Sequence, residues 1–190
     1  MKTRKLLFVA TLLTLAISAC KKETKYGTSI TPIKNVVNTI SDPTFYFRDE
    51  PTIMATQFKS SKDGRITEFG IMAGKGTYTV SLWDSSALNL ISSSAITVTD
   101  STLFTYKNIA DIDIVSNKVY IISMFNQIAE GGSGAQAYKF VSSGFPYTVG
   151  EITIIGTNYN NTSNASAFPA TFMYTNIFRG IADFKFEPKL

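Results

Sequence analysis

From Thr44 to the end of the chain, apolar and polar positions alternate with a period of two. The residues chosen are Val, Ile, Thr, Phe and Tyr, and turn residues recur every 8 to 15 positions. This pattern predicts strands at Thr52–Ser60, Arg65–Ala73, Thr77–Trp83, Leu88–Val98, Leu103–Asn108, Lys118–Phe125, Gln136–Val141, Glu151–Thr157 and Arg179–Glu187. Val119-Tyr120-Ile121-Ile122 is apolar on both parities, as expected of a central strand covered on both faces. In the last segment Ile181, Phe184 and Phe186 face one way and Lys185 and Glu187 the other, with an irregularity near Ala182. Asp63-Gly64 suits a tight hairpin, Gly74-Lys75-Gly76 a looser one, and Ser116-Asn117 a turn in which Asn takes a left-handed conformation. Many short strands, no internal repeat and no alternating helices predict an all-β fold. The expected form is an antiparallel β-sandwich of jelly-roll type, with a closed barrel as the alternative.

Ahead of this body the period changes. Ile33, Val36, Val37 and Ile40 fall at helical spacing, with Thr31 placed as N-cap, Pro32 as first helical residue and Pro43 beyond the end. So short a helix, rich in β-branched residues, forms only if it packs on the domain. The polar stretch from Lys21 to about Asp42 otherwise reads as a tether.

The first residues carry an address. Lys2, Arg4 and Lys5 precede an uncharged apolar run of 14 residues, Leu6–Ala19, too short for a helix to span a hydrocarbon core of roughly 30 Å. Ile17-Ser18-Ala19-Cys20 then resembles the signal of bacterial lipoproteins, in which the Cys becomes the acylated first residue. The resulting division is signal peptide 1–19, lipidated Cys20 and tether 20–43, and β-sandwich 44–190. Two or more acyl chains give stable membrane anchoring. The expected address is the cell envelope, at the outer membrane of a Bacteroidetes-type cell, to which Lys21-Lys22-Glu23-Thr24-Lys25 is similar in its mixed charge.

Charge and composition then narrow the chemistry. The 190 residues are 44% apolar and 17% charged, which suits one folded domain rather than a disordered chain. The net charge of +4 stems largely from the first five residues. From Cys20 onward 15 basic face 14 acidic groups, and no basic run with interleaved aromatics points to nucleic acid. The absence of His removes Ser-His-Asp, Cys-His and HExxH chemistry, and the single Cys removes disulfides and thiolate zinc sites.

Thr56-Gln57-Phe58-Lys59-Ser60-Ser61 with Gly64-Arg65-Ile66, then Thr79-Val80-Ser81-Leu82-Trp83-Asp84, resembles a secreted bacterial family known as domain of unknown function four-zero-eight-two. Ile112-Asp113-Ile114-Val115-Ser116-Asn117-Lys118-Val119-Tyr120, Phe168-Pro169 and Ala182-Asp183-Phe184-Lys185-Phe186 follow in the same order, with Asn117 where that family usually has Gly. The resemblance covers about Thr44 to Pro188. It implies a β-sandwich module that often accompanies carbohydrate-active or cell-surface domains, with no established chemistry.

Sugar recognition on a sandwich uses exposed aromatic rings bordered by amide, acid or guanidinium groups. Phe145-Pro146-Tyr147 and Asn158-Tyr159-Asn160-Asn161 lie between strand candidates, and Trp83 is out of phase with Tyr78, Val80 and Leu82. Trp83, Phe145, Tyr147 and Tyr159 are therefore the expected ligand-binding residues. Asp111 and Asp113 point to one side of a strand, as calcium ligands or glycosidase carboxylates do, but two carboxylates make neither site by themselves. No cofactor, no metal and no catalytic residue is expected. Glu130-Gly131-Gly132-Ser133-Gly134 lacks the Lys-Ser/Thr of a phosphate loop, residues 158–170 read as a long polar excursion, and Asp100-Ser101-Thr102 resembles an O-glycan acceptor. The expected protein is a lipid-anchored sandwich that binds a polysaccharide. The alternative is a structural or accessory module that docks on an envelope protein.

Overall fold

A computed structural model describes residues 24–40, 44–48, 50–126, 135–141, 144–169 and 172–190. Cys20 and the glycine-rich stretch 130–134 lie outside them. In chain order the described elements are α1 (Pro32–Val37), β1 (Thr44–Arg48), β2 (Thr52–Ser60), β3 (Gly64–Met72), β4 (Gly76–Asp84), β5 (Asn89–Val98), β6 (Thr105–Ile114) and β7 (Val119–Asn126). They continue with β8 (Ala135–Val141), β9 (Tyr147–Val149), β10 (Ile152–Asn161), β11 (Phe172–Tyr174), β12 (Ile177–Arg179) and β13 (Ile181–Pro188). The expected all-β antiparallel sandwich with one short N-terminal helix is the architecture observed. A seven-stranded sheet in the order β11-β10-β2-β7-β4-β5, with β9 also on β10, forms one layer. The sheets β13-β3-β6 and β1-β8-β12 supply the strands packed against it.

The core lies between the layers. Phe58, Val80, Leu82, Ile122 and Ile154 of the large sheet meet Ile66, Phe69, Phe184 and Phe186, and the Phe58 and Phe184 ring centroids are 4.3 Å apart. As its apolar run requires, β7 is internal to the large sheet and buried on both faces.

Several local expectations need correction. Asp63-Gly64 and Gly74-Lys75-Gly76 connect strands of different sheets rather than forming hairpins, whereas Ser116-Asn117 is the expected turn, with Asn117 at positive φ (61°). The predicted last strand is two strands, because Gly180 (φ 60°) breaks it where the backbone presses on the large sheet. A Cβ there would stand 2.6 Å from Cβ of Met54. The polar excursion is shorter than expected, since Asn158–Asn161 belong to β10.

From Thr24 onward the segment read as a tether is bound to the body. Tyr26 bridges Lys189 and Ile30 bridges Phe186, with backbone hydrogen bonds from Gly27 to Pro188 and in both directions between Ile30 and Phe186. The helix α1 then buries Ile33, Val36 and Val37. Thr31 makes no side-chain cap. Asp183 of β13 takes that role, accepting hydrogen bonds from the Ile33 and Lys34 amides at 3.0 and 3.1 Å. The Tyr106 hydroxyl donates to the same carboxylate at 2.7 Å.

Register explains how it reaches. Tyr106, Gly70 and Asp183 stand in one row across β6, β3 and β13, and the phenol ring lies over the glycine. Burial raises the Asp183 carboxyl to about 6, against the lowering effect of these hydrogen bonds, and burial beside that carboxylate also raises the Tyr106 phenol.

Candidate ligand-binding edge

Opposite β2, the other margin of β10 is shared by two short strands. β9 pairs with Ile152–Ile154 and β11 with Thr157–Tyr159, on either side of a register shift between Ile154 and Gly156. The Phe145 amide donates to the Thr175 carbonyl at 2.8 Å, which joins the approach to β9 to the end of β11. The Thr157 hydroxyl donates to the Ile177 carbonyl and so ties β12 to β10. These bonds bring two groups of aromatic side chains to one edge of the sandwich.

In the first group Phe145 meets Tyr147 edge-on at 5.4 Å, and the buried Phe178 lies 4.6 Å from Phe145 and 6.0 Å from Tyr147. The Phe145–Pro146 peptide is cis, and Pro146 is exposed between the two half-buried rings. In the second group Tyr159 and Tyr174 stack at 5.7 Å with an interplanar angle of 18°. The Arg179 guanidinium carbon lies 4.9 Å from the Tyr174 centroid and 5.4 Å from that of Tyr159. All three side chains of this second group are half-buried. Directly across the β12–β8 pair from Arg179 stands Lys139.

Of the four residues singled out from sequence, Phe145 and Tyr147 are therefore brought together, and Tyr159 stands at the same edge in a different pair. Trp83 is elsewhere. It projects from the outer face of the large sheet, as its phase required, but it is only 2% exposed. Its indole N–H donates to the Ser123 hydroxyl at 2.8 Å, and Phe168 covers it edge-on at 5.8 Å. The segment 162–169 is turned over that face by local bonds, among them Asn164 accepting from the Ser166 and Ala167 amides and Phe168 accepting from the Asn160 side chain. Ring planes so covered offer no stacking surface, and Trp83 acts here as core.

Sequence reasoning missed Tyr174, Arg179 and Lys139. The two cations sit in Tyr138-Lys139-Phe140 and Phe178-Arg179-Gly180, ordinary alternation for a strand with one solvated face. Their pairing depends on residues 40 apart in sequence coming into register, which no local pattern encodes.

The acidic candidates have other uses. Asp111 pairs with Arg65, which also holds Glu187 at 2.7 Å. Among the described residues no three metal-ligating side chains gather. The Asp100 carboxylate accepts from the Thr102 amide and hydroxyl at 2.8 and 2.7 Å, closing a local turn. Among the described residues no helix is long and apolar enough to cross a membrane. The sequence matches no family model and no curated protein.

Proposed function

We propose that the chain is a membrane-anchored extracytoplasmic lipoprotein, acylated at Cys20, whose single β-sandwich binds glycan at the cell envelope and performs no catalysis. The observation that carries the reading is the aromatic edge. Phe145, Tyr147, Tyr159 and Tyr174, none fully buried, are gathered on one margin of the molecule by β9, β11 and β12. Partly exposed rings fixed by neighbouring strands suit stacking on sugar faces, because the strands hold each ring orientation before the ligand arrives. The signal-like N-terminus and the motifs that resemble the secreted family support the same setting.

The test is binding of the full chain, purified in detergent, to a panel of polysaccharides and oligosaccharides. Tyr147→Ala and Tyr159→Ala should each weaken a specific hit, and Trp83→Phe should leave it unchanged. Loss of binding in Trp83→Phe, with the tyrosine variants unaffected, contradicts this site.

A second reading rests on a different observation. Leu88 before the edge strand β5, and Leu90 and Ile91 at its start, are 63%, 40% and 39% exposed. Exposed apolar side chains at a sheet edge suit docking on an envelope protein. Copurification of one partner, abolished by Leu90→Asp but not by Tyr159→Ala, favours that reading.

A further inference from the structure

Four cations have carboxylate partners among the described residues: Arg65 with Glu187 and Asp111, Lys118 with Asp84, Lys185 with Glu68, and Lys62 with Glu151. Arg179 does not. Its guanidinium rests on Tyr159 and Tyr174, its Nε is buried without a hydrogen-bond partner, and no carboxylate pairs with it among the described residues. Lys139 stands directly opposite on β8, also without an ion pair among the described residues. Cross-strand partners project from the same face of a sheet, and like charges placed so repel each other. A half-buried guanidinium with no carboxylate partner among the described residues, facing a second cation, is an arrangement that an anion would complete.

From this we propose that Arg179 and Lys139 form a subsite for the carboxylate of an acidic sugar, with the stacked pair Tyr159 and Tyr174 beside it to receive the sugar ring. The inference rests on the glycan reading above and names the ligand class. A planar carboxylate matches the fork of a guanidinium with two parallel hydrogen bonds, and Lys139 adds a point charge. The rings hold the guanidinium plane, and because Nε is buried the carboxylate is met by the two terminal Nη groups.

The experiment measures binding of the full chain, in detergent, to polyuronates, to the same polymers after carboxyl reduction, to a sulfated polysaccharide of similar charge density and to inorganic phosphate. The expected result is that carboxyl reduction weakens binding roughly ten- to hundredfold, the range of one lost charge-assisted pair. Arg179→Gln should weaken polyuronate binding to the same degree and leave the reduced polymer unaffected. Arg179→Lys should recover little, because it lacks the fork, and Lys139→Gln should lower affinity a fewfold. Equal binding of native and reduced polymers overturns the subsite while the glycan reading stands. Binding of no glycan overturns both. Equal binding of sulfated polymer, or competition by phosphate at similar concentration, overturns the carboxylate assignment. Carboxyl reduction alters only the ligand, so the test holds even where Arg179→Gln fails to fold.

Discussion

Gly70→Ala should release the N-terminal strap from the body. A Cβ at this position would lie 2.3 Å from Cε1 of Tyr106, where ordinary contact begins near 3.4 Å, so the ring must retreat by about 1 Å. The Tyr106 hydroxyl stands 2.7 Å from Asp183, and a retreat of that size takes it beyond hydrogen-bond range. A hydrogen bond to a charged group contributes roughly 1.5–3 kcal/mol, and overpacking adds about 1–3. The lower backbone entropy of alanine in the unfolded chain returns about 0.4–1 kcal/mol. The net loss is roughly 2–5 kcal/mol, or about 5–20 °C in melting temperature for a chain of this size. Limited trypsin digestion of the native protein supplies the local readout, since α1 freed from Asp183 should be cut after Lys34 well before the sandwich unfolds. Tyr106→Phe should lose only the hydrogen bond, about 1.5–3 kcal/mol. In a Tyr106→Ala background, Gly70→Ala should cost less than about 1 kcal/mol because the clash is gone. Unchanged melting and continued protection of Lys34 in Gly70→Ala, or an equal cost in both backgrounds, would refute the reasoning.

Asp183 also predicts a pH dependence: its folded value of about 6 lies above the unfolded 3.8, so this group contributes stability below about 4 that is lost as pH rises through 6, roughly 3 kcal/mol in all. Melting curves from pH 4.5 to 7.5 should show wild type falling relative to Asp183→Asn, and parallel curves would count against the buried carboxylate. Asp84 acts in the opposite direction, because Lys118 holds its carboxyl well below the usual range, and its contribution is lost as pH falls below about 4. Trp83→Ala should destabilise the fold by about 3–5 kcal/mol, and the emission of this single tryptophan should be blue-shifted and poorly quenched by acrylamide before and after a glycan is added. Metabolic labelling with an alkyne fatty acid should mark the wild-type chain and fail to mark Cys20→Ala; labelling of both would remove the lipid-anchor proposal.

What was legible in the sequence was whatever local alternation controls. The β2 segment appears with the expected bounds, β7 is internal because both parities are apolar, and Asn117 takes the positive φ foreseen for it. The short strands β1, β9, β11 and β12 were not expected, since three to five residues supply too few alternations to read. The Asp63-Gly64 connection was misread because a turn signal marks a change of direction but not whether the chain stays in its sheet. Trp83 was assigned the correct face, yet its exposure depended on Phe168, 85 residues later, folding over it. The helix cap followed the same rule. Thr31 was the local choice, and Asp183, 150 residues from Ile33, took its place because Gly70 lets Tyr106 reach across β3. The candidate edge was half legible: Phe145, Tyr147 and Tyr159 stood out as loop aromatics, whereas Arg179 and Lys139 acquire meaning only from the register of β12 on β8.

The measurement that bears most directly on the central claim is an NMR titration of the full chain, in detergent micelles and with labelled aromatic side chains, by the acidic and neutral oligosaccharides of the panel. The account predicts saturable shifts of the Tyr147, Tyr159 and Tyr174 ring signals together with the Arg179 guanidinium, and an unmoved Trp83 indole N–H. Shifts confined to the Trp83 indole, or no shift of any aromatic signal with any sugar, would contradict it.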